Sequence, residues 1–392
     1  MKTREQVFQE IQALNKKHLL LALPTGLGKS KIALDLAFTN SAKSILIVYP
    51  KVNLKQNWID EVIKWGYKNE LAKISFTTYN SLHKYADKVW DTVIFDEGHH
   101  ITERVLEIIG CMHIQHAYIL SATIKPTLKY KLEIAFPGLY SYRMRMQEAI
   151  SSDILPDPTI VLIPLTFNTV DNTETIVKNP KATNTLTIPF NKRFSYIGKT
   201  VRYLIPCTEA QYYTDLDSQV EYYKKKAMCG NQVMKNLWLH KAGERLKWLA
   251  SKKTRIVFDL LNALQKERTL TFCGSIEQTE LLGQHCIHSK NRVSLRTLQD
   301  FNEGKINHIT AIAMLDEGQN LVNCRVGIFA NINSSDRIQI QRTGRILRHP
   351  KPIIIIPYFK HSREEEIVSQ MLEGYNKDLV KIVQPDLKQL QL

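Results

Sequence analysis

Short, continuous apolar runs separated by amphipathic helical stretches recur in two blocks of this chain, and that rhythm restricts its fold more than any other feature. In the first block the runs stand at about 18–23 (HLLLAL), 44–49 (SILIVY), 73–78 (KISFTT), 92–96 (TVIFD) and 117–120 (AYIL). In the second they stand at about 269–273 (TLTFC), 308–313 (HITAIA), 326–330 (VGIFA) and 353–359 (IIIIPYF). Strands that are apolar at every position are buried on both faces, and strands spaced by helices pair in parallel. The expected fold is therefore α/β, with two parallel-sheet lobes in tandem over residues 1–149 and 251–392. A third region, 150–250, is expected to be an α+β accessory insert between them. A length of 392 residues suits such a division.

The first apolar run feeds Pro24-Thr25-Gly26-Leu27-Gly28-Lys29-Ser30 and then the amphipathic stretch KIALDLAF. Glycines let backbone N–H groups turn inward around a phosphate, and a helix N-terminus adds partial positive charge. Lys29 then reaches the β/γ-phosphates and Ser30 ligates Mg²⁺. Glycine-containing turns before helices are common; Gly-x-Gly-Lys-Ser between strand and helix is not. The general pattern opens with a glycine, and this chain has Leu23 there.

The run TVIFD ends in Asp96-Glu97-Gly98-His99. At the C-terminal end of a parallel strand, where α/β proteins bind ligands, Asp96 is placed to hold Mg²⁺ and Glu97 to act as general base on a water. Far downstream, Gln341-Arg342-Thr343-Gly344-Arg345-Ile346-Leu347-Arg348 concentrates three arginines after an apolar run and a turn. Arg345 and Arg348 are three apart, hence on one helical face, and arginines stabilise charge on a transferring phosphoryl group. A phosphate-binding loop in one lobe and arginines in the other would make hydrolysis depend on closure.

Lysine and arginine number 53 against 38 acidic residues, a formal net charge of +15, which favours a polyanionic partner, nucleic acid first. The excess is concentrated in residues 150–255, which hold 16 basic and 9 acidic residues. Pro-punctuated β-like pieces (TIVLIPLTF, TLTIPF, TVRYLIP) are followed there by helical stretches at 209–228 and 232–250. Tyr203, Tyr212, Tyr213, Tyr222, Tyr223, Trp238 and Trp248 lie among the lysines. Lys224, Lys225 and Lys226 are candidates for phosphate contact beside aromatics that stack on bases. The alternative is a helical hairpin whose aromatics pack inward while its lysines face water.

No apolar run approaches a membrane span, and residues 1–10 lack an apolar signal core, so a soluble, cytoplasmic protein is expected. Six dispersed cysteines without a Cys-x-x-Cys pair argue for a reducing compartment. Two clusters, Cys111/His113/His116 and His285/Cys286/His288, lack four ligands at a zinc-finger spacing.

Together these segments resemble the superfamily 2 helicases and translocases, which have two RecA-like lobes. PTGLGKS looks like motif I, DEGH like a DEAH-type motif II with Gly98 where Ala is usual, SAT (121–123) like motif III, and QRTGRILR like motif VI. YPKVNLKQNWIDEVIKW is similar to motif Ia, TTYNSL to the element after it, and LTFCGS to motif IV. LDEGQNL is similar to motif V, with Asn320 for a frequent Asp and Val322 for a frequent Pro. The closest flavour is the compact branch of XPB-like, RecG-like and phage UvsW-like DNA motors; DEAD-box RNA helicases have Asp where this chain has His99. The resemblance implies ATP and Mg²⁺ as cofactors, with Gln6 of an Arg-x-x-Gln-like element, Pro24, Thr25, Gly26, Gly28, Lys29, Ser30 and Asp96 as nucleotide-site residues. It implies Gln341, Arg345 and Arg348 as catalytic partners of Glu97 and Lys29, and His99, Ser121 and Thr123 as coupling residues. Lys51, Thr77, Thr78, Tyr79, Ser275, Gly318 and Asn320 are then the positions for nucleic-acid contact.

The expected activity is that of a nucleic-acid-stimulated ATPase, a DNA helicase or translocase. Two alternatives share its motifs: an ATP-gated clamp or remodeller, of RNA or DNA, that separates no strands, and the motor subunit of a restriction or repair assembly. The host cytoplasm is the expected location if the chain is viral.

Overall fold

The computed structural model describes residues 3–190, 198–312, 321–333, 335–373, 375–388 and 390. Six strands form the first sheet: β1 (His18–Ala22), β2 (Ile45–Tyr49), β3 (Ile74–Thr78), β4 (Val89–Phe95), β5 (His113–Ser121) and β6 (Tyr140–Arg143). Their order is β3-β2-β4-β5-β1-β6, all parallel. Alternate residues of one strand enter different cores. Leu19, Leu21, Ile45 and Ile47 pack on one face of this sheet, and Leu20, Leu46 and Val48 on the other. Burial on both faces is why these strands read as unbroken apolar runs.

The second sheet includes β7 (Thr159–Leu165), which comes from the region expected to be insert. The insert then contributes β8 (Glu174–Lys178), β9 (Thr185–Thr187) and β10 (Arg202–Cys207) as a small separate sheet. The second sheet continues with β11 (Thr269–Phe272), β12 (Cys286–Ile287), β13 (His308–Ala311), β14 (Val326–Phe329), β15 (Ile353–Phe359) and β16 (Val380–Ile382). Its order is β12-β13-β11-β14-β15-β7-β16, again parallel. Here the boundary drawn at 150–250 is corrected. β7 runs alongside β15 over its whole length, from Thr159 opposite Ile353 to Leu165 opposite Phe359, and so belongs to the second lobe. Its Pro164, which has no N–H to donate, stands beyond Ile160, Val161 and Leu162, the residues that β16 pairs with.

The accessory region therefore lies inside the second lobe, between β7 and the helix Thr254–Ala263. Its helices Glu209–Ala227 and Gln232–Lys252 pack together as an antiparallel hairpin. Where the second of these ends, Lys253 and Glu364 form an ion pair (2.5 Å) in which neither side chain has any exposed surface. Glu364 also accepts from the Phe359 N–H (3.2 Å), so the pair ties the hairpin root to the end of β15. Among the described residues no helix is long and apolar enough to cross a membrane.

Removing one member of a fully buried ion pair strands the other's charge, whereas replacing both by apolar residues does not. Glu364→Gln should therefore lower the unfolding free energy by about 3–5 kcal/mol, and Lys253→Met with Glu364→Leu should recover most of it. Urea unfolding of the three proteins measures this; equal stability of the single and double variants would contradict it.

Candidate nucleotide site between the lobes

The phosphate-binding loop follows β1, which is flanked by β5 and β6, so the loop leaves from the C-terminal edge of a buried strand. Gly26 (φ 93°) and Gly28 (φ 99°) take left-handed conformations that favour glycine. Gly28 is the N-cap of the helix Lys29–Thr39 and carries no side chain over that helix's first N–H groups. The Lys29 Nζ donates to the Leu23 carbonyl (3.2 Å), folding the lysine back over its own loop. Thr25, Gly26, Gly28, Lys29 and Ser30 line a cavity of about 600 Å³, a size that suits a nucleotide. Pro24 is buried and is not among the lining residues.

Asp96 and Glu97 reach the same cavity from the end of β4. The Asp96 carboxylate is held at both oxygens: the Trp58 indole N–H donates to Oδ2 (2.9 Å) and the Glu97 N–H to Oδ1 (3.0 Å). Burial, reinforced by the neighbouring Glu97 charge and opposed by Lys29 and the Trp58 hydrogen bond, pushes the Asp96 carboxyl up to about 7. Glu97 has φ 49°, a left-handed conformation uncommon for a non-glycine residue. Its Oε2 lies 3.4 Å from His99 Nδ1, which is 3.3 Å from Ser121 Oγ, and that hydroxyl donates to the Thr123 carbonyl (2.7 Å). Glu97, His99, Ser121 and Thr123 thus form one polar chain leading away from the cavity.

The second lobe closes the cavity with Arg345 and Arg348. They come from the helix Asp336–Ile346 and the turn after it. Gly344 allows the approach: a Cβ there would lie 2.5 Å from Thr25 Cβ and 3.1 Å from the Thr25 carbonyl oxygen. Leu347 completes the hydrophobic core of the first lobe. Arg342 faces its own lobe, donating to the Asn331 carbonyl (2.9 Å) and lying over the Phe272 ring (4.8 Å). Gln341 is buried, and its Nε2 has no hydrogen-bond partner.

Several expected residues sit elsewhere. Gln6 is exposed and closes a capping box, accepting from the Thr3 N–H (2.8 Å); Arg4, Glu5 and Phe8 line the cavity in its place. Tyr79 is corrected from a nucleic-acid contact to a core residue. It is 5% exposed and its hydroxyl donates to the Asp96 carbonyl (2.7 Å), while burial holds that hydroxyl well above its ordinary range. Thr77 is likewise 5% exposed and offers little surface to a ligand. Ser275 caps the helix Ile276–Leu282 through the Gln278 N–H (3.1 Å). Lys51 is exposed and Thr78 half-buried. Gly318 and Asn320 lie outside the described residues. Lys224 pairs with Glu221 (3.3 Å), Lys226 Nζ sits over the Tyr222 ring (4.4 Å), and Lys225 is exposed.

Trp58 was given no role by the sequence, although it stands in the motif-Ia-like segment. The available signal was topological: β2 pairs with β4, so the helix after β2 passes over the end of β4. The site also fits the groups expected in it. Two left-handed glycines form the cradle, and Thr25 Oγ1 is buried without a hydrogen-bond partner. A buried carboxylate pair suits a cation.

Two outcomes follow from this packing. A Cβ on Gly98 would overlap Ile119 Cγ2, which accounts for glycine at that position. Gly98→Ala should cost about 1–3 kcal/mol by overpacking, and adding Ile119→Leu, which removes the branched methyl, should restore stability and turnover; a double-mutant cycle with zero coupling would refute the clash. The second concerns pH. The folded protein keeps Asp96 protonated up to about pH 7, whereas the unfolded chain releases that proton near pH 4. The folded state binds more protons in that window, so stability should fall as pH rises from about 4 to about 7, by roughly 2–4 kcal/mol in EDTA. Asp96→Asn should remove this slope, as melting curves across the range would show.

Comparison with known proteins agrees with the geometry. Residues 2–126 match the family described as type III restriction enzyme, res subunit, and residues 252–350 match the helicase conserved C-terminal domain. The chain is similar to the DNA 3'-5' translocase XPB2 of Sulfurisphaera tokodaii, 21% identical over 86% of this chain and 76% of that protein. It is also similar to Dicer-like protein 2 of Phaeosphaeria nodorum, 27% identical over 32% of this chain but only 9% of that protein. In fold it resembles S. cerevisiae Dbp5 bound to RNA and ADP BeF3, with a TM-score of 0.61 and 11% identity over 98% of this chain and 90% of that one. Two parallel-sheet lobes of RecA-like fold, with the restriction-enzyme res match in the first and the helicase C-terminal match in the second, identify the chain as an ATP-hydrolysing member of the superfamily 2 helicases and translocases.

Proposed function

We propose that this enzyme is a DNA-stimulated ATPase that moves along or unwinds DNA. The observation that carries the reading is the composition of the cavity, which takes its phosphate loop and acidic pair from one lobe and Arg345 and Arg348 from the other. Neither lobe alone has the full set, so hydrolysis is tied to closure, and closure is what displaces a bound strand. Support for nucleic acid comes from the net charge of +15. Support for DNA over RNA comes from the translocase of Sulfurisphaera tokodaii, named for DNA and aligned over most of this chain.

In this reading Lys29 and the loop N–H groups hold the β- and γ-phosphates, and Ser30 and Asp96 hold Mg²⁺. The metal supplies charge neutralisation on the phosphate oxygens. The Trp58 indole N–H orients the Asp96 carboxylate that would hold the metal. Glu97 accepts a proton from the attacking water. Arg345 and Arg348 offset the negative charge that grows on the transferring group. His99, Ser121 and Thr123 carry the state of Glu97 toward the edge of the sheet, and Lys51, Thr78 and Ser275 remain the proposed positions for strand contact.

The test is ATP turnover measured with single- and double-stranded DNA and RNA. DNA should stimulate it at least several-fold more than RNA of the same length; the reverse order would overturn the DNA assignment. Lys29→Ala should abolish turnover in a folded protein. Glu97→Gln should keep nucleotide binding and trap a DNA-gripping state, because only the base is neutralised. Glu97→Gln turnover within a few-fold of the wild type would move the base elsewhere. Strand displacement on a forked duplex separates unwinding from clamping without unwinding.

A further inference from the structure

The helical hairpin of the accessory region has two dissimilar halves. Its root is locked. Phe167 stacks on Phe359 of β15 (4.4 Å between centroids, 4° between planes), and Tyr213 and Trp248 stack on Phe167 at 4.9 and 5.9 Å. The Tyr213 hydroxyl accepts from the Arg363 N–H (2.9 Å), Arg245 pairs with Asp217, and Lys252 pairs with Glu174. The inward-packing alternative thus holds for Tyr213 and Trp248.

Beyond the root nothing is buried. The buried residues of the first helix end at Val220 and those of the second begin at Arg245. From Gln232 to Glu244 a helical rise of 1.5 Å per residue amounts to about 18 Å, and over that length no side chain of the hairpin is buried. Its apolar side chains face water: Met228 is 76% exposed, Val233 63%, Leu239 55% and Tyr222 53%. Residues 222–243 also contain five lysines (224, 225, 226, 235 and 241) and no aspartate or glutamate.

Val233 and Leu237, one turn apart on a shared face of the second helix, leave apolar surface in water beside those lysines, and the charge selects the partner. An apolar protein groove would have to desolvate lysines it does not pair. A duplex presents phosphates but hides the faces of its bases. Unpaired bases beside a phosphate backbone offer both flat apolar faces and negative charge. We propose that residues 222–243 are a junction-reading arm that engages unpaired bases where a DNA duplex opens, with Val233 and Leu237 against bases and the lysines against phosphates. This rests on the reading of the chain as a DNA motor, and adds where on the molecule the junction sits.

The experiment uses the whole 392-residue chain and three DNAs of equal length: a fork, a blunt duplex and a single strand. The wild type should bind the fork at least 10-fold more tightly than the blunt duplex. Val233→Ser combined with Leu237→Ser should remove that preference, with blunt-duplex affinity changed less than twofold. Replacing Lys224, Lys225 and Lys226 by Ala should lower the salt slope of fork binding by about 0.7–0.9 per lost contact. A melting curve shows whether each variant folds, and a second measurement needs no tip substitution. Cys229, exposed at the arm's tip, is labelled with a photo-crosslinker in a Cys111→Ser, Cys286→Ser background, and should crosslink to nucleotides within a few positions of the junction.

Variants that keep the fork preference, or crosslinks only to distant duplex, would overturn the arm's role while leaving the motor reading intact. Failure to bind or be stimulated by any nucleic acid would remove both. Binding to phosphatidylserine vesicles that the serine variant abolishes, with fork binding unaffected, would assign the arm to a lipid surface and overturn the proposal.

Discussion

The contact of Gly344 with Thr25 is the constraint on which the assembled site depends. It brings the backbone of a second-lobe helix against the phosphate-binding loop, at a separation no side chain at 344 would permit. Among the described residues, everything the second lobe contributes to the cavity is on that helix or the turn after it. Arg345 and Arg348 follow the glycine by one and four positions, and Leu347 between them is buried in the first lobe's core. An apolar anchor set between two cations fixes their reach more tightly than charge alone could, because packing depends steeply on distance.

The acidic end of the cavity shows the opposite economy, in which stability is given up for chemistry. Two adjacent carboxylates are buried together, one raised toward neutral pH and the other on a backbone conformation that side chains avoid. The surroundings hold this arrangement from three sides. Trp58 grips a carboxylate oxygen, Tyr79 the peptide carbonyl behind it, and Ile119 fills the space a β-carbon at 98 would take. Such a site gains from a cation and from a phosphate's negative charge being met by Lys29, which is the usual relation between local strain and function.

The fold was legible where burial is two-sided. β2 and β15 were recognisable because every residue is apolar, and β4 and β11 because their buried stretches, TVIF and TLTF, hold only threonine besides apolar residues. β6, β12 and β16 were not, being four, two and three residues long with few apolar positions. β7 was recognised as a strand but set in the wrong lobe, since its partner β15 is almost two hundred positions later and pairing at that distance leaves no local mark. The same division applies to the site. The loop, the acidic pair and the arginines carry local signatures. Trp58 and Tyr79 act on Asp96 from 38 and 17 positions away, and only the sheet order brings them there. Gln6 was misplaced for a local reason, its side chain being taken by the cap of its own helix.

The transfer of β7 to the second sheet also bears on how movement is transmitted. The chain leaves the first sheet after β6 and enters the second at β7, through Pro156-Asp157-Pro158, and the later strands stay with the second sheet or the small one beside it. The hairpin is therefore mounted on the second lobe at both of its roots, through β7 before it and the buried Lys253 after it. It is a lever fixed to one jaw of a hinge: any rotation that opens or shuts the nucleotide cavity sweeps the far end of the hairpin through a longer arc than the cavity itself.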